Sequence, residues 1–299
     1  MTTSSDTWPA CRRLAAAIEP VAGQVYFSPE CHSGYAALGF DPSPGSARGV
    51  ALPDGPAYFT SRGSVMGQVS GHVVAAAFAV FNPAVVVPAV ERGWALTDAA
   101  TICAVRTEGA VAQLTRVLGP SPDGLSEVTE LLSRACEGLR LEGKPLYAGL
   151  ASLGLPGEPM ADMWRLADCL REYRGDAHTA AWTSAGFDPV EMGLLTELYW
   201  GLPTRTYIRT RGWVGEDLDS AMERLEAHGY MADGCLTETG RAAREEVEVA
   251  TDRQCDTIVR ALGDDLDPLI TLLGRWGDAI RNSGGYPAAG PHDLARAGT

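Results

Sequence analysis

EDLDSAMERLEAHGYMADGCLTETGR, residues 216–241, sets the fold. Its first part, EDLDSAMERLEAHGYM, reads as a helix that runs out at Gly229. YMADGCLTETG then reads as a short hairpin turning at Asp233-Gly234, a dipeptide that tolerates the left-handed backbone of tight turns. A long helix, roughly Thr239–Leu262, follows.

Upstream, Glu191–Tyr199 is expected as one helix and Thr204–Thr210 as a second, short one. The order helix, helix, helix, hairpin, helix is that of a winged helix-turn-helix. Residues 266–281 form a last amphipathic helix, and 283–299 read as a loose tail. The fold class expected is mainly α. An all-helical domain over 1–188 precedes a winged helix-turn-helix domain with a small β-hairpin over 189–282, and the tail closes the chain.

Within the first part, Ser28 offers an N-cap with Pro29 at the first helical position. Gly63, Gly67 and Gly71 recur every fourth residue and predict one smooth helical stripe for close packing. A phosphate loop would need a lysine there, and none is present. Helices are expected over Thr97–Leu118 and 125–141. Residues 142–160, dense in glycine and proline, read as a long connection. A further helix runs from near Pro159 to near Gly186.

The chain has 299 residues and a net charge of −14, which disfavours general binding to nucleic acid or anionic membrane. At 45% apolar and 21% charged residues it is globular. The 7 cysteines are scattered with no C-x-x-C, as in a reduced, cytoplasmic protein. Residues 63–90 carry no Asp, Glu, Lys or Arg, but Asn82 and two prolines interrupt them. We read a buried helix ending at Asn82-Pro83 rather than a membrane span.

YFSPE (26–30), YFTSRGSVMG (58–67), FAVFNP (78–83), LREYRGDAH (170–178), TRGW (210–213) and LTETGR…ATDR (236–253) together resemble a family of helix-turn-helix, MarR-like proteins of unknown function from GC-rich bacteria. The resemblance spans nearly the whole chain and implies the winged helix. The family pattern around Arg62 is closer to Y-x-x-G-R-A-A-P-L-G. It usually has Asn where this chain has Val80, His where it has Asn82, and often His where it has Tyr173.

The second helix of a helix-turn-helix reads the major groove and needs basic or neutral side chains. Here residues 215–229 hold Glu216, Asp217, Asp219, Glu223 and Glu226 against Arg224 alone. DNA binding is therefore the alternative reading, carried by Arg205, Arg209 and Arg211 on phosphate. The preferred use of the winged helix is packing or a homodimer contact.

No strong motif for a metal, a nucleotide or a redox cofactor occurs, so none is expected. That leaves LREYRGDAHTAAW, residues 170–182. At about 100° per residue, Met163, Leu166, Leu170, Tyr173, Ala177 and Ala181 make an apolar stripe. Arg174 falls roughly 40° from its centre, and His178 and Arg171 roughly 80° and 100°. Glu172 and Asp176 fall on a face expected to be solvated. Arg174 needs a carboxylate partner or a ligand anion. Arg62, Arg174, Tyr58 and Asn82 around one cavity would hold a small carboxylate or phenolate, with His178 as general acid or base. The functional expectation is a small-molecule-binding protein, an acid/base enzyme of specialised metabolism. The alternative is a MarR-like ligand-responsive regulator.

Overall fold

The computed structural model describes residues 4–47 and 49–288. The chain runs α1 (Ser4–Gly23), α2 (Pro29–Ala37), a hairpin of β1 (Ser46–Ala47) and β2 (Val50–Ala51), α3 (Gly55–Gly63), α4 (Gly71–Phe78), α5 (Pro83–Leu96) and α6 (Ala99–Leu118). It continues through α7 (Leu125–Cys136), α8 (Pro145–Leu153), α9 (Pro159–Ser184), α10 (Pro189–Tyr199), α11 (Glu216–Ala227), the antiparallel hairpin of β3 (Met231–Ala232) and β4 (Cys235–Leu236), α12 (Glu238–Leu262) and α13 (Leu266–Asn282).

The helix starts follow local chemistry. The Ser28 hydroxyl accepts the Cys31 amide at 3.2 Å ahead of α2. Asp54, Asn82, Asp98 and Thr237 cap α3, α5, α6 and α12 in the same way. Asp188 and Glu191 form a reciprocal capping box at the start of α10.

Five expectations change. The Gly63–Gly71 stripe does not lie on one helix. Gly67 takes a φ of +82° and breaks the chain there, so α4 folds back until a Cβ on Gly63 would meet Val74 Cγ2 at 3.0 Å. The 142–160 connection contains α8, which starts on Pro145 and was hidden by the surrounding glycines and prolines. The short helix expected at Thr204–Thr210 is a turn with a 3-10 segment, Ile208–Arg211, because Gly201 and Arg205 adopt positive φ. The first 188 residues are not wholly helical, since β1 and β2 lie within them. Tyr286, expected in the loose tail, is buried against Phe27. The rest of that tail, 289–299, lies outside the described residues.

α9 is the central helix and packs against α1, α6, α7, α8 and α12. Neighbours on most of its sides leave it almost no solvated face. The main core includes Leu14, Val90, Ile102, Leu132, Trp164 and Leu170. A second core joins α10, α11 and the β3–β4 hairpin through Leu194, Leu195, Ile208, Leu218, Leu225 and Met231. α12 leaves that second core and delivers Cys255, Ile258 and Leu262 to the main one, where α13 follows. No helix among the described residues is long and apolar enough to cross a membrane.

Candidate functional site

A cavity of about 760 Å³ opens between α1, α3, α4 and α9 on one side and α10, the Ile208–Arg211 turn and α12 on the other. Tyr58, Arg62, Arg174 and His178 line it together. Asn82 does not. Its Oδ1 accepts the Ala84 amide at 2.9 Å and its Nδ2 donates to the Gly212 carbonyl at 3.1 Å. It joins the α4–α5 elbow to the turn before α11. Asn82→Ala removes a cap and a cross-link at once and should cost about 1–3 kcal/mol in urea unfolding, with ligand affinity unchanged. Weaker binding at unchanged stability would make it a ligand contact instead.

Glu172 is the hub of one polar network and is only 2% exposed. Arg62 grips it twice, Nε to Oε1 at 2.9 Å and Nη2 to Oε2 at 2.7 Å. Arg171 Nη1 donates to Oε1 at 2.7 Å and, through Nε, to Glu19 at 3.0 Å. Tyr26 Oη adds a bond at 3.3 Å, and Arg62 Nη1 donates to Tyr58 Oη at 3.3 Å. Burial alone would raise the Glu172 carboxyl, but Arg62 and Arg171 outweigh it and hold it well below the usual carboxylate range.

Arg174 belongs to a second network, between α9 and α12. Its Nη2 donates to Glu248 Oε2 at 2.8 Å and lies 3.7 Å from Asp252 Oδ1. Arg244 holds the other Glu248 oxygen at 2.8 Å, and Arg12 pairs with Glu245 and Asp252. The partner that Arg174 needs is thus a carboxylate of this chain. His178 Nδ1 lies 3.1 Å from Thr251 Oγ1, whose own proton goes to the Val247 carbonyl at 2.8 Å. With its proton on that carbonyl, Thr251 Oγ1 is an acceptor for a protonated Nδ1 of His178.

The solvated face expected for Glu172 and Asp176 is absent, because α9 is enclosed. Asp176 is 3% exposed and accepts the Leu146 and Tyr147 amides at 3.1 and 3.0 Å, closing the start of α8. Burial pushes its carboxyl up to about 7, against those two amides. The sequence reading missed Glu248 and Arg244. A signal for them existed: Arg244, Glu248 and Asp252 recur every fourth residue along α12, matching the charges of α9.

Arg205, Arg209 and Arg211 have separate surroundings. Arg205 Nη2 donates to Asp219 at 2.5 Å and folds over Met222. Arg209 is exposed. Arg211 lines the cavity, its guanidinium 4.7 Å from the Phe81 ring centre and 4.5 Å from that of Tyr207. On α11, Glu216, Asp217, Asp219, Glu223 and Glu226 are all exposed. Arg224 bridges Asp188 and Glu191. Among the described residues no cluster of His, Cys, Asp or Glu is placed to hold a metal ion.

Two helices, α10 and α11, linked by residues 200–215 with their Ile208–Arg211 turn, sit against a helical body that shares a cavity with them. The sequence matches the helix-turn-helix family over residues 11–287, and the chain belongs to that family. Comparisons with curated proteins and with solved structures return no match.

Proposed function

We propose that this is a small-molecule-binding protein whose cavity takes an anionic substrate, a carboxylate or phenolate, with His178 as general acid or base and no cofactor. One observation carries the reading. Tyr58 and Arg62 of α3 and Arg174 and His178 of α9, two helices far apart in sequence, line one cavity of about 760 Å³, a size suited to a small organic molecule. His178 lines the same cavity, its Nδ1 3.1 Å from Thr251 Oγ1, and imidazole is the side chain suited to proton transfer near neutral pH. The paired Arg62 and Arg174 form a rigid, charge-balanced wall.

We read α10–α12 with the β3–β4 hairpin as a winged helix used for packing. A ligand-responsive DNA-binding regulator is the second reading, favoured by the family. The exposed acids of α11 oppose it, since phosphate repels them.

Thermal unfolding in a panel of aryl carboxylates and phenolates tests the first reading. At least one member at high concentration should raise the midpoint by a few degrees. Mobility shifts against the protein's own promoter region at low salt should show no complex. A clean shift, abolished by Arg205→Ala with Arg209→Ala, would establish the regulator instead.

A further inference from the structure

The arginines of the cavity are not equivalent. Arg12, Arg13, Arg62, Arg171, Arg174 and Arg244 each lie within 4.0 Å of a carboxylate. Arg211 has none among the described residues. Its Nη2 donates to Tyr207 Oη at 2.7 Å. Its Nε is buried without a partner, and Nη1 makes no hydrogen bond among the described residues. The Phe81 and Tyr207 rings stand 4.7 and 4.5 Å from the guanidinium carbon. The Arg211 carbonyl is fixed in turn by the Asn82 amide at 2.9 Å.

We propose that Arg211 is the anion anchor of the cavity and that the ligand is an aromatic carboxylate. The assignment rests on the reading of the cavity as a binding site. Three arguments support it. First, a guanidinium in a partly buried site without a counter-ion favours an incoming anion, whereas Arg62 and Arg174 would have to abandon Glu172 or Glu248 to receive one. Second, a planar guanidinium matches the fork of a carboxylate, and Arg211 Nη1 makes no hydrogen bond among the described residues. Third, Tyr58, Phe78, Phe81, Trp200 and Tyr207 line the same cavity and suit an aromatic body.

The test compares 2-naphthoate with its neutral isostere 2-naphthamide by isothermal titration calorimetry on the full chain. Wild type should prefer the carboxylate by about tenfold or more, as expected for a charge-assisted hydrogen-bonded contact. Arg211→Met should bind both equally, and Arg211→Lys should keep part of the preference. On wild type, phenylglyoxal modification of Arg211, read by peptide mass spectrometry, should be suppressed by 2-naphthoate and not by 2-naphthamide. That measurement decides the question even if Arg211→Met fails to fold. Equal binding of both probes to wild type, or a preference that survives in Arg211→Met, or modification that naphthoate leaves unprotected, overturns the anchor while the cavity reading stands. Failure of both probes to bind wild type up to millimolar concentration counts against the anchor and the cavity reading alike.

Discussion

Glu172→Ala should destabilise the protein by about 3–5 kcal/mol in equilibrium urea unfolding, the cost of breaking a buried ion pair from one side. The substitution strands two guanidinium groups. Arg62 loses both of its short bonds and is left with Tyr58 and the face of Phe78, 4.4 Å from its guanidinium carbon. Arg171 retains Glu19 and loses less. Glu172→Gln keeps an acceptor oxygen without the charge and should fall between wild type and Glu172→Ala. The pH dependence follows from the direction of the shift. The folded-state carboxyl titrates below its unfolded value, so its contribution is present above the ordinary carboxylate range and is lost as pH falls through the folded-state pKa. Glu172→Gln removes that contribution at every pH and should flatten the acid limb of the stability curve. A loss under about 1 kcal/mol for Glu172→Ala would mean that water reaches and solvates Arg62.

Asp168→Ala should cost a similar amount, about 3–5 kcal/mol by the same measurement, for a different reason. Arg106 and Asp168 are 1% and 0% exposed and pair at 2.9 Å, yet neither Asp168 oxygen has an aligned hydrogen bond. The pair is therefore enclosed and incompletely satisfied. Removing the acid leaves Arg106 with the Tyr26 hydroxyl at 3.3 Å and the ring of Trp164, 4.8 Å from its guanidinium carbon. Replacing both partners at once, Arg106→Met with Asp168→Leu, should recover most of the loss, because neither charge is then buried. A double variant as unstable as the single one would show instead that the site needs its polar contacts. The same rescue is not expected at Glu172, where one carboxylate serves several donors.

Legibility in the sequence was uneven for physical reasons. The α11–hairpin–α12 run was readable because its signals are local: a helical period, a glycine stop and an Asp-Gly turn. α8 was not, since the glycines and prolines flanking it outweigh a helix of nine residues. On α9, the apolar stripe correctly located the inward side near Leu170. It misplaced Glu172 and Asp176, because a periodicity argument assumes one buried face and α9 has neighbours on most sides. That Arg174 requires a counter-charge followed from sequence. Which acid supplies it did not, since Glu248 lies 74 residues away. For Arg211, residue type alone suggested phosphate contact, and only the tertiary fold turns it toward the cavity.

The pairing of the first helix with the last ones has a consequence for biosynthesis. Arg12 bonds Asp252 across 240 residues, and α1 packs on both α12 and α13. At about 5–20 residues per second, a nascent α1 waits roughly 12–50 s before those partners are made. Through that interval its apolar side, including Leu14, Ile18 and Val21, has no native cover on the α12–α13 side. Until α12 and α13 are synthesised, α1 lacks both its apolar cover on that side and the Asp252 carboxylate that Arg12 meets.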